Sequence, residues 1–414
     1  MEALALRPRV SDSRPVLPRG FQAAGIHCGI RARKQKLDLG LLLAKEAFPA
    51  AALFTRNALL GAHVVVCRES LERSRGRVRA VLVNSGNANC STGTEGVEDN
   101  RRIQAALAEL LGCPPGQVLF MSTGVIGARL PVDRILEALP MLLSSAHEKG
   151  LGDYAQAIMT TDLVPKVRTQ VVEDHGGAPF RVTGIAKGSG MIHPNMATML
   201  GYLLTDGPLA HDARGLLVET ANKSFHRLTV DGDTSPNDTV CLWSSYPAPK
   251  AGASASEEAA GAEETLARSL LEVSQELCRA IAADGEGATR LVTVRVTGAP
   301  DEEAASHVAR TIATSPLTKT AVHGRDPNWG RILAAAGRSG VAFDPALARV
   351  WIGEADVYSR GKPHPENERE AHLHLLNHHE VILGVDLAAG TASAEAWTCD
   401  FSADYVRINA DYRS

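Results

Sequence analysis

The chain has 414 residues, 44% of them hydrophobic and 22% charged, with a formal net charge of −4. This is an ordinary globular balance, with enough apolar material for a sizeable core and length for two or three structural units. The charge excludes a bulk electrostatic pull toward nucleic acid or anionic membrane, and 4% aromatic residues leave few platforms for stacking single-stranded bases.

Met1 to Phe21 mixes Arg7, Arg9, Asp12 and Arg14 with prolines and lacks the apolar centre of a signal peptide. Val64-Val65-Val66 and Ala80-Val81-Leu82-Val83 read as strands, the second running into the polar turn Asn84-Ser85-Gly86-Asn87-Ala88-Asn89. Val97 to Leu111 has apolar positions at helical spacing and stops at Gly112. Gln117 to Met121 reads as a strand leading into Ser122-Thr123-Gly124, and Pro131 opens a helix to Ser145. Val167–Val172 and Phe180–Ile185 suit a hairpin around Gly176-Gly177. Met199–Leu204 is a strand, Asp212–Phe225 a helix and Thr239–Trp243 a strand. Tyr246 to Glu264, rich in Pro, Ala, Gly, Ser and Glu, reads as a surface loop or flexible insertion over 247–264. Thr265–Ala283 is an amphipathic helix, Leu291–Val296 a strand, Asp301–Thr314 a helix, and Trp329–Gly337 a further helix. Glu380–Leu387 and Ala394–Ile408 read as strand-rich. The order lacks the βαβ rhythm of a doubly wound sheet, and neither Gly-x-Gly-x-x-Gly nor a Walker A motif is present. A layered α/β fold with substantial antiparallel pairing is expected.

The seven cysteines, Cys28, Cys67, Cys90, Cys113, Cys241, Cys278 and Cys399, are scattered and include no Cys-x-x-Cys pair. Free thiols in a reducing cytoplasm are therefore expected, rather than a disulfide framework or a thiolate zinc site. No apolar run is long enough to span a bilayer, so a soluble cytosolic protein is the simplest reading.

Two segments carry chemistry. In Lys187-Gly188-Ser189-Gly190-Met191-Ile192-His193-Pro194-Asn195-Met196-Ala197-Thr198, glycines and a Pro-Asn bend precede a small residue and then a threonine. Self-cleavage needs a threonine hydroxyl to reach the preceding carbonyl past an uncrowded neighbour, which Ala197 provides. The product threonine would carry an α-amine of pKa about 7.7–8.0, able to serve as its own general base. The second segment, Ser122-Thr123-Gly124, can aim a hydroxyl and backbone N–H groups at one spot, as an oxyanion hole requires. Taken singly, both segments are better read as ordinary turns beside strands.

Seven ordered segments change that balance: Val83–Asn89, Met121–Gly127, Ile158–Asp162, Lys187–Leu200, Thr229–Thr234, His323–Arg331 and Tyr405–Tyr412. Through them the sequence resembles the ornithine acetyltransferase family, the glutamate N-acetyltransferases of arginine biosynthesis, from Pro18 to Ser414. The resemblance implies a layered α-β-β-α sandwich, similar to N-terminal-nucleophile hydrolases but with its own topology, and a smaller C-terminal α/β region. It implies self-cleavage between Ala197 and Thr198 into chains 1–197 and 198–414, assembled as a heterotetramer of two of each. Thr198 is the implied nucleophile, taking acetyl from N-acetylornithine and passing it to glutamate. Thr123 and Gly124 match the oxyanion stabilisers, and Thr161, Lys187, Thr198, Glu286, Asn409 and Ser414 the substrate contacts. No metal and no bound cofactor are implied, although acetyl-CoA is a second acetyl donor in some members. Lys187 suits a substrate carboxylate and Glu286 a substrate ammonium. His226 and Leu163 stand where the family often has Asn and Thr.

The remaining polar clusters have plainer readings. His372 and His374 could share a strand face and bind a metal, but solvent-facing histidines are favoured. Asp231, Asp233 and Asp238 lack a calcium-loop pattern and suit loop capping, and His193 suits a turn. Arg325 and Arg331 suit an anion or structural ion pairs equally. Two rival functions stand beside the transferase: an aminopeptidase or amidase of similar fold, resolved by water, and an uncleaved binding protein.

Overall fold

The computed structural model describes residues 15–31, 36–173, 179–193, 199–209, 212–246 and 257–411. Its first sheet holds β1 (Phe21–Ile26), β2 (Leu39–Phe54), β3 (Arg77–Asn87), β4 (Val118–Val125), β5 (Lys166–Val172), β6 (Phe180–Lys187), β7 (Leu200–Thr205) and β8 (Thr239–Ser244). The order is β4-β3-β2-β8-β7-β6-β5, with β1 against β2. The helices of this half are α1 (Ala62–Arg73), α2 (Gly93–Leu111), α3 (Val132–Ser144), α4 (Leu151–Ala157), α5 (Ala213–Asn222) and α6 (Glu257–Ala283).

Strand β2 makes the sandwich. Its first half pairs with β1 and β3, its second with β8, and the register shifts between Leu43 and Phe48. Lys45 and Glu46 are exposed at this crease, and Pro49 follows it, so the sheet turns over on itself there. The two leaves then face each other. Phe21, Leu42, Val81 and Met121 from one meet Ile185, Tyr202 and Trp243 from the other. The outer face of the first leaf (Leu41, Leu82, Phe120) packs on Ile103 and Leu107 of α2 and Ile135 and Leu139 of α3. The outer face of the second (Val182, Leu203, Leu242) packs on Leu217 of α5 and Leu266, Leu270, Val273 and Leu277 of α6. The result is the α-β-β-α sandwich that the sequence led us to expect. Because both faces of each leaf are covered, the strands read as unbroken apolar runs such as Leu41-Leu42-Leu43 rather than as alternating ones.

The C-terminal region is a second sheet of β9 (Leu291–Ala299), β10 (Arg349–Ile352), β11 (Ala355–Ser359), β12 (Lys362–Pro363), β13 (Glu380–Asp386) and β14 (Ala392–Cys399), in the order β12-β11-β10-β13-β9-β14. Helices α7 (Glu302–Ala313), α8 (Pro316–Gly324), α9 (Trp329–Gly337), α10 (Glu368–Asn377) and α11 (Ala403–Ala410) accompany it. Val294, Val296, Val308, Ile312, Ile332 and Leu383 form its own core. Leu291, Trp397 and Cys399 instead join the α6 side of the sandwich, fastening the two regions together. Among the described residues no helix is long and apolar enough to cross a membrane.

Four sequence expectations need correction. Val64-Val65-Val66 is not a strand but part of α1, whose His63, Val66, Cys67 and Ser70 form one buried face at helical spacing. Burial of that face outweighs the β preference of the valines. Glu257–Glu264, expected in a loop, is the start of α6, while 247–256 lies outside the described residues. The strand in the tail ends at Cys399, and Ala403–Ala410 is helical, begun by the Ser402 side chain accepting from the Tyr405 N–H. His372 and His374 lie on α10, where a separation of two residues puts them on different faces.

The sandwich interface can be tested at Trp243, which is buried and meets Phe21 edge to face at 4.9 Å. Trp243→Ala is expected to cost about 3–5 kcal/mol in urea unfolding, and Leu347→Ala, at an exposed position, less than about 0.5 kcal/mol.

Candidate active site

Parallel strands β3 and β4 end side by side, Ser85 opposite Thr123 and Gly86 opposite Gly124. Gly124 has φ +138°, and a Cβ there would lie 2.3 Å from the Gly86 carbonyl carbon and 2.4 Å from the Asn87 nitrogen. Only glycine fits this approach. From the opposite leaf, Lys187 ends β6 with its side chain buried. Its Nζ donates to Thr123 Oγ1 at 3.2 Å and Thr160 Oγ1 at 2.8 Å. An ammonium only donates, so both threonine oxygens must accept here, leaving each hydroxyl hydrogen for a further acceptor. A third N–H of Lys187 has no partner among the described residues. A spare cationic donor and an outward hydroxyl therefore share one spot. Burial lowers the Lys187 pKa from its ordinary value, with Asp162 opposing that shift.

Behind Lys187 lies a buried ionic group. Lys166 Nζ bonds Asp162 Oδ1 and Asp284 Oδ2, each at 2.6 Å. Burial pushes the Asp162 carboxyl up, but Lys166 and Lys187 outweigh it and hold the group well below the usual carboxylate range. Burial likewise works against the Lys166 charge, and the two carboxylates raise its pKa despite it. Asp284 opens the turn that carries Glu286. Ser189 Oγ donates to the Asp284 carbonyl at 2.6 Å, and the Glu286 N–H donates to the Ser189 carbonyl at 2.9 Å. Glu286 is buried, and its Oε2 accepts from Asn409 Nδ2 at 2.8 Å. Its carboxylate lies so close to Gly190 that a Cβ there would stand 2.3 Å away.

The chain after Gly190 is held from the 229–234 loop. Asp231 accepts from the Met191 N–H at 2.6 Å and the Ile192 N–H at 2.9 Å, with Met191 at φ +56°. Thr229 Oγ1 and the Val230 N–H donate to the Ile192 carbonyl at 3.0 and 2.7 Å, and Thr234 Oγ1 donates to the His193 carbonyl at 3.0 Å. His193 meets Thr229 Oγ1 at 3.1 Å and an Arg310 guanidinium nitrogen at 3.0 Å. Burial, then Arg310, push its pKa down to about 4. On the far side, the Met199 carbonyl accepts from the Thr239 N–H at 3.0 Å. Thr198 and Ala197 between these anchors, and Ser414, lie outside the described residues.

The structure thus brings Lys187 to Thr123 beside Gly124, and Glu286 to Asn409. Thr161 sits half-buried on the same loop as Thr160, but Thr160 is the one that touches Lys187. Asp231 caps a loop, as expected. Arg331 donates to the Leu317 carbonyl at 3.0 Å. His372, His378 and His379 are exposed, whereas His374 is half-buried and accepts from the Ile382 N–H at 3.1 Å. Sequence reasoning missed Lys166 and His63. A lone lysine at a strand start carries no local signal, and His63 was hidden in an apolar run. His63 is fully buried, with the Ser122 N–H donating to its Nδ1 at 3.4 Å and its Nε2 at 3.3 Å from Thr239 Oγ1. It thereby ties the strand of Thr123 to the residue that holds Met199.

Two outcomes follow. Gly124→Ala is expected to wreck the strand-end approach, lowering the midpoint of thermal unfolding and removing any activity that uses Thr123. His63 is pushed down to about 3 by burial, so between pH 6.5 and 3 the unfolded chain binds a proton that the folded chain refuses. Stability therefore falls as pH falls, by about 2 kcal/mol between pH 7 and 5 from this residue. His63→Gln should flatten that slope in urea unfolding at the two pH values.

The model of the ArgJ family matches residues 22–414. The arginine biosynthesis bifunctional protein ArgJ of Parasynechococcus marenigrum is 46% identical over 396 residues, covering 95% of this chain and 94% of that protein. The mitochondrial ArgJ of Schizosaccharomyces japonicus is 43% identical over 416 residues, covering 96% and 93%. Among solved structures, ArgJ from Bacillus halodurans is 37% identical, with a TM-score of 0.47 over 52% of this chain and 100% of that one. Ornithine acetyltransferase from Mycobacterium tuberculosis, solved with ornithine, is 36% identical, with a TM-score of 0.40 over 44% and 96%. With its family model matched over nearly its whole length and such relatives covered end to end, the chain belongs to the ArgJ family.

Proposed function

We propose that the chain is a self-processing acetyltransferase of arginine biosynthesis, moving acetyl from N-acetylornithine to glutamate through an acetyl ester on Thr198. The observation that carries this reading is Lys187 Nζ on Thr123 Oγ1, beside Gly124 at φ +138°. The lysine donation turns the Thr123 hydroxyl hydrogen outward, beside the Gly124 backbone, where a carbonyl oxygen would gain negative charge. Each such donor contributes about 2.7–4 kcal/mol. The names of the relatives, arginine biosynthesis bifunctional proteins, support the pathway.

In this reading the Ala197–Thr198 bond breaks first, freeing the threonine α-amine. That amine takes the Thr198 hydroxyl proton as Oγ attacks the acetyl carbonyl. The oxyanion is met by the Thr123 hydroxyl and the Gly124 N–H. Collapse breaks the C–N bond, the held proton goes to the departing amine, and ornithine leaves. The amine of glutamate then attacks the ester, Thr198 regains its proton, and N-acetylglutamate leaves. Lys187 receives a substrate carboxylate, Glu286 an ammonium, and Thr161, Asn409 and Ser414 complete the contacts. Use of acetyl-CoA as a second donor is read from coenzyme A release when glutamate and acetyl-CoA are mixed with the enzyme. Two copies each of 1–197 and 198–414 form the proposed assembly, and seven unpaired thiols suit a reducing cytoplasm.

N-acetylornithine mixed with glutamate should yield N-acetylglutamate; acetate alone would mean that water resolves the ester, as in the amidase reading. A denaturing gel should show two bands in place of one at 43.9 kDa. Thr198→Ala should leave one band and no transfer. Asp231→Asn, which weakens the hold on Met191 and Ile192, should slow band splitting about tenfold or more, each charge-assisted bond contributing about 1.5–3 kcal/mol.

A further inference from the structure

The side chains of Asp162, Lys166 and Asp284 lie wholly out of solvent, with exposures of 0%, 0% and 1%. None touches the open side of the site, yet each bond of the group ends on a segment that does. Asp162 Oδ2 accepts from the Thr160 N–H at 2.9 Å, and Oδ1 from the Gly188 N–H at 2.7 Å. These two amides flank the contact of Lys187 with Thr160. Asp284 Oδ2 accepts from the Leu163 N–H at 3.1 Å and begins the Asp284-Gly285-Glu286 turn. Lys166 joins the two carboxylates. Buried charges are tolerated only when paired and bonded. Two carboxylates and one ammonium leave one negative charge over, and Lys187, which has hydroxyl partners but no carboxylate partner among the described residues, supplies the matching positive charge.

We infer that Lys166 is a positioning residue for substrate binding, locking through Asp162 and Asp284 the segments that carry Thr160, Lys187 and Glu286. The inference rests on the binding roles proposed above for Lys187 and Glu286. The charged groups facing Lys187 are Asp162, Lys166, Asp238 and Arg31. Neutralising Asp284 leaves the positive charge of Lys166 less balanced, so the Lys187 pKa must fall further.

The test compares wild type with D284N, K166M and K166R, all as self-processed full-length chains. The D284N change is nearly isosteric, and its amide oxygen can still accept from Lys166. In D284N the Michaelis constants for N-acetylornithine and glutamate should rise about tenfold, with kcat changed less than about threefold, and the alkaline limb of kcat/KM should move about one pH unit lower. K166M should raise the Michaelis constants more strongly, but the loss of a cation beside Lys187 should move its alkaline limb higher rather than lower, with K166R recovering part of both changes. If K166M does not accumulate, D284N decides alone. A D284N enzyme with a lower unfolding midpoint but unchanged Michaelis constants and pH limb overturns the inference, leaving Lys166 a stabilising group only. If wild type yields acetate and no N-acetylglutamate, the transfer reading has failed. The Michaelis constant for N-acetylornithine hydrolysis and its pH limb then decide the role of Lys166 separately.

Discussion

The hydrogen bond from Lys187 to Thr123 crosses between the two leaves of the sandwich, and the site depends on it. Thr123 ends a strand of one leaf and Lys187 a strand of the other. They meet because β2 runs through both leaves and turns at its Leu43–Phe48 crease. Were the sheet flat, four strands would stand between β4 and β6. A buried ammonium is costly without partners, so this contact also fixes what must surround it: two hydroxyls, and the negative charge of Asp162 behind them.

The same economy appears around the segment leading to Thr198. The carbonyls of Ile192 and His193, and the N–H groups of Met191 and Ile192, are bonded to the Thr229–Thr234 loop, while Met199 is bonded to β8. Such a double hold keeps a residue such as Met191 at a positive φ, which costs about 1–3 kcal/mol unless surroundings impose it. It also bears on the fate of two chains. A break after residue 197 would leave β1 to β6 on one chain and β7 onward on the other. The pairings β6 with β7 and β2 with β8 would still join them.

Much of this was legible in the sequence, for identifiable reasons. Thr123, Gly124 and Lys187 stand at strand ends next to glycines, and such punctuation survives in one dimension. The amphipathic helices α2 and α6 were readable because one face is buried and the other wet. The strand β2 was not read, since Gly40, Lys45, Glu46 and Pro49 interrupt its pattern at the place where it bends. The valines of α1 misled because helix and strand both bury short apolar runs.

By itself, the sequence determined most element types, though not those of β2, α1, the start of α6 and α11, offered candidate residues for the chemistry, and through its ordered segments pointed to the family. Only the tertiary structure decided which of them meet. Thr160 rather than Thr161 bonds Lys187, Asp231 holds the approach to Thr198, and Lys166 reaches Asp284 across 118 residues of chain. The reason is physical. A hydroxyl or carboxylate has the same local preferences whether it faces water or a buried ammonium, and folding alone sets that difference.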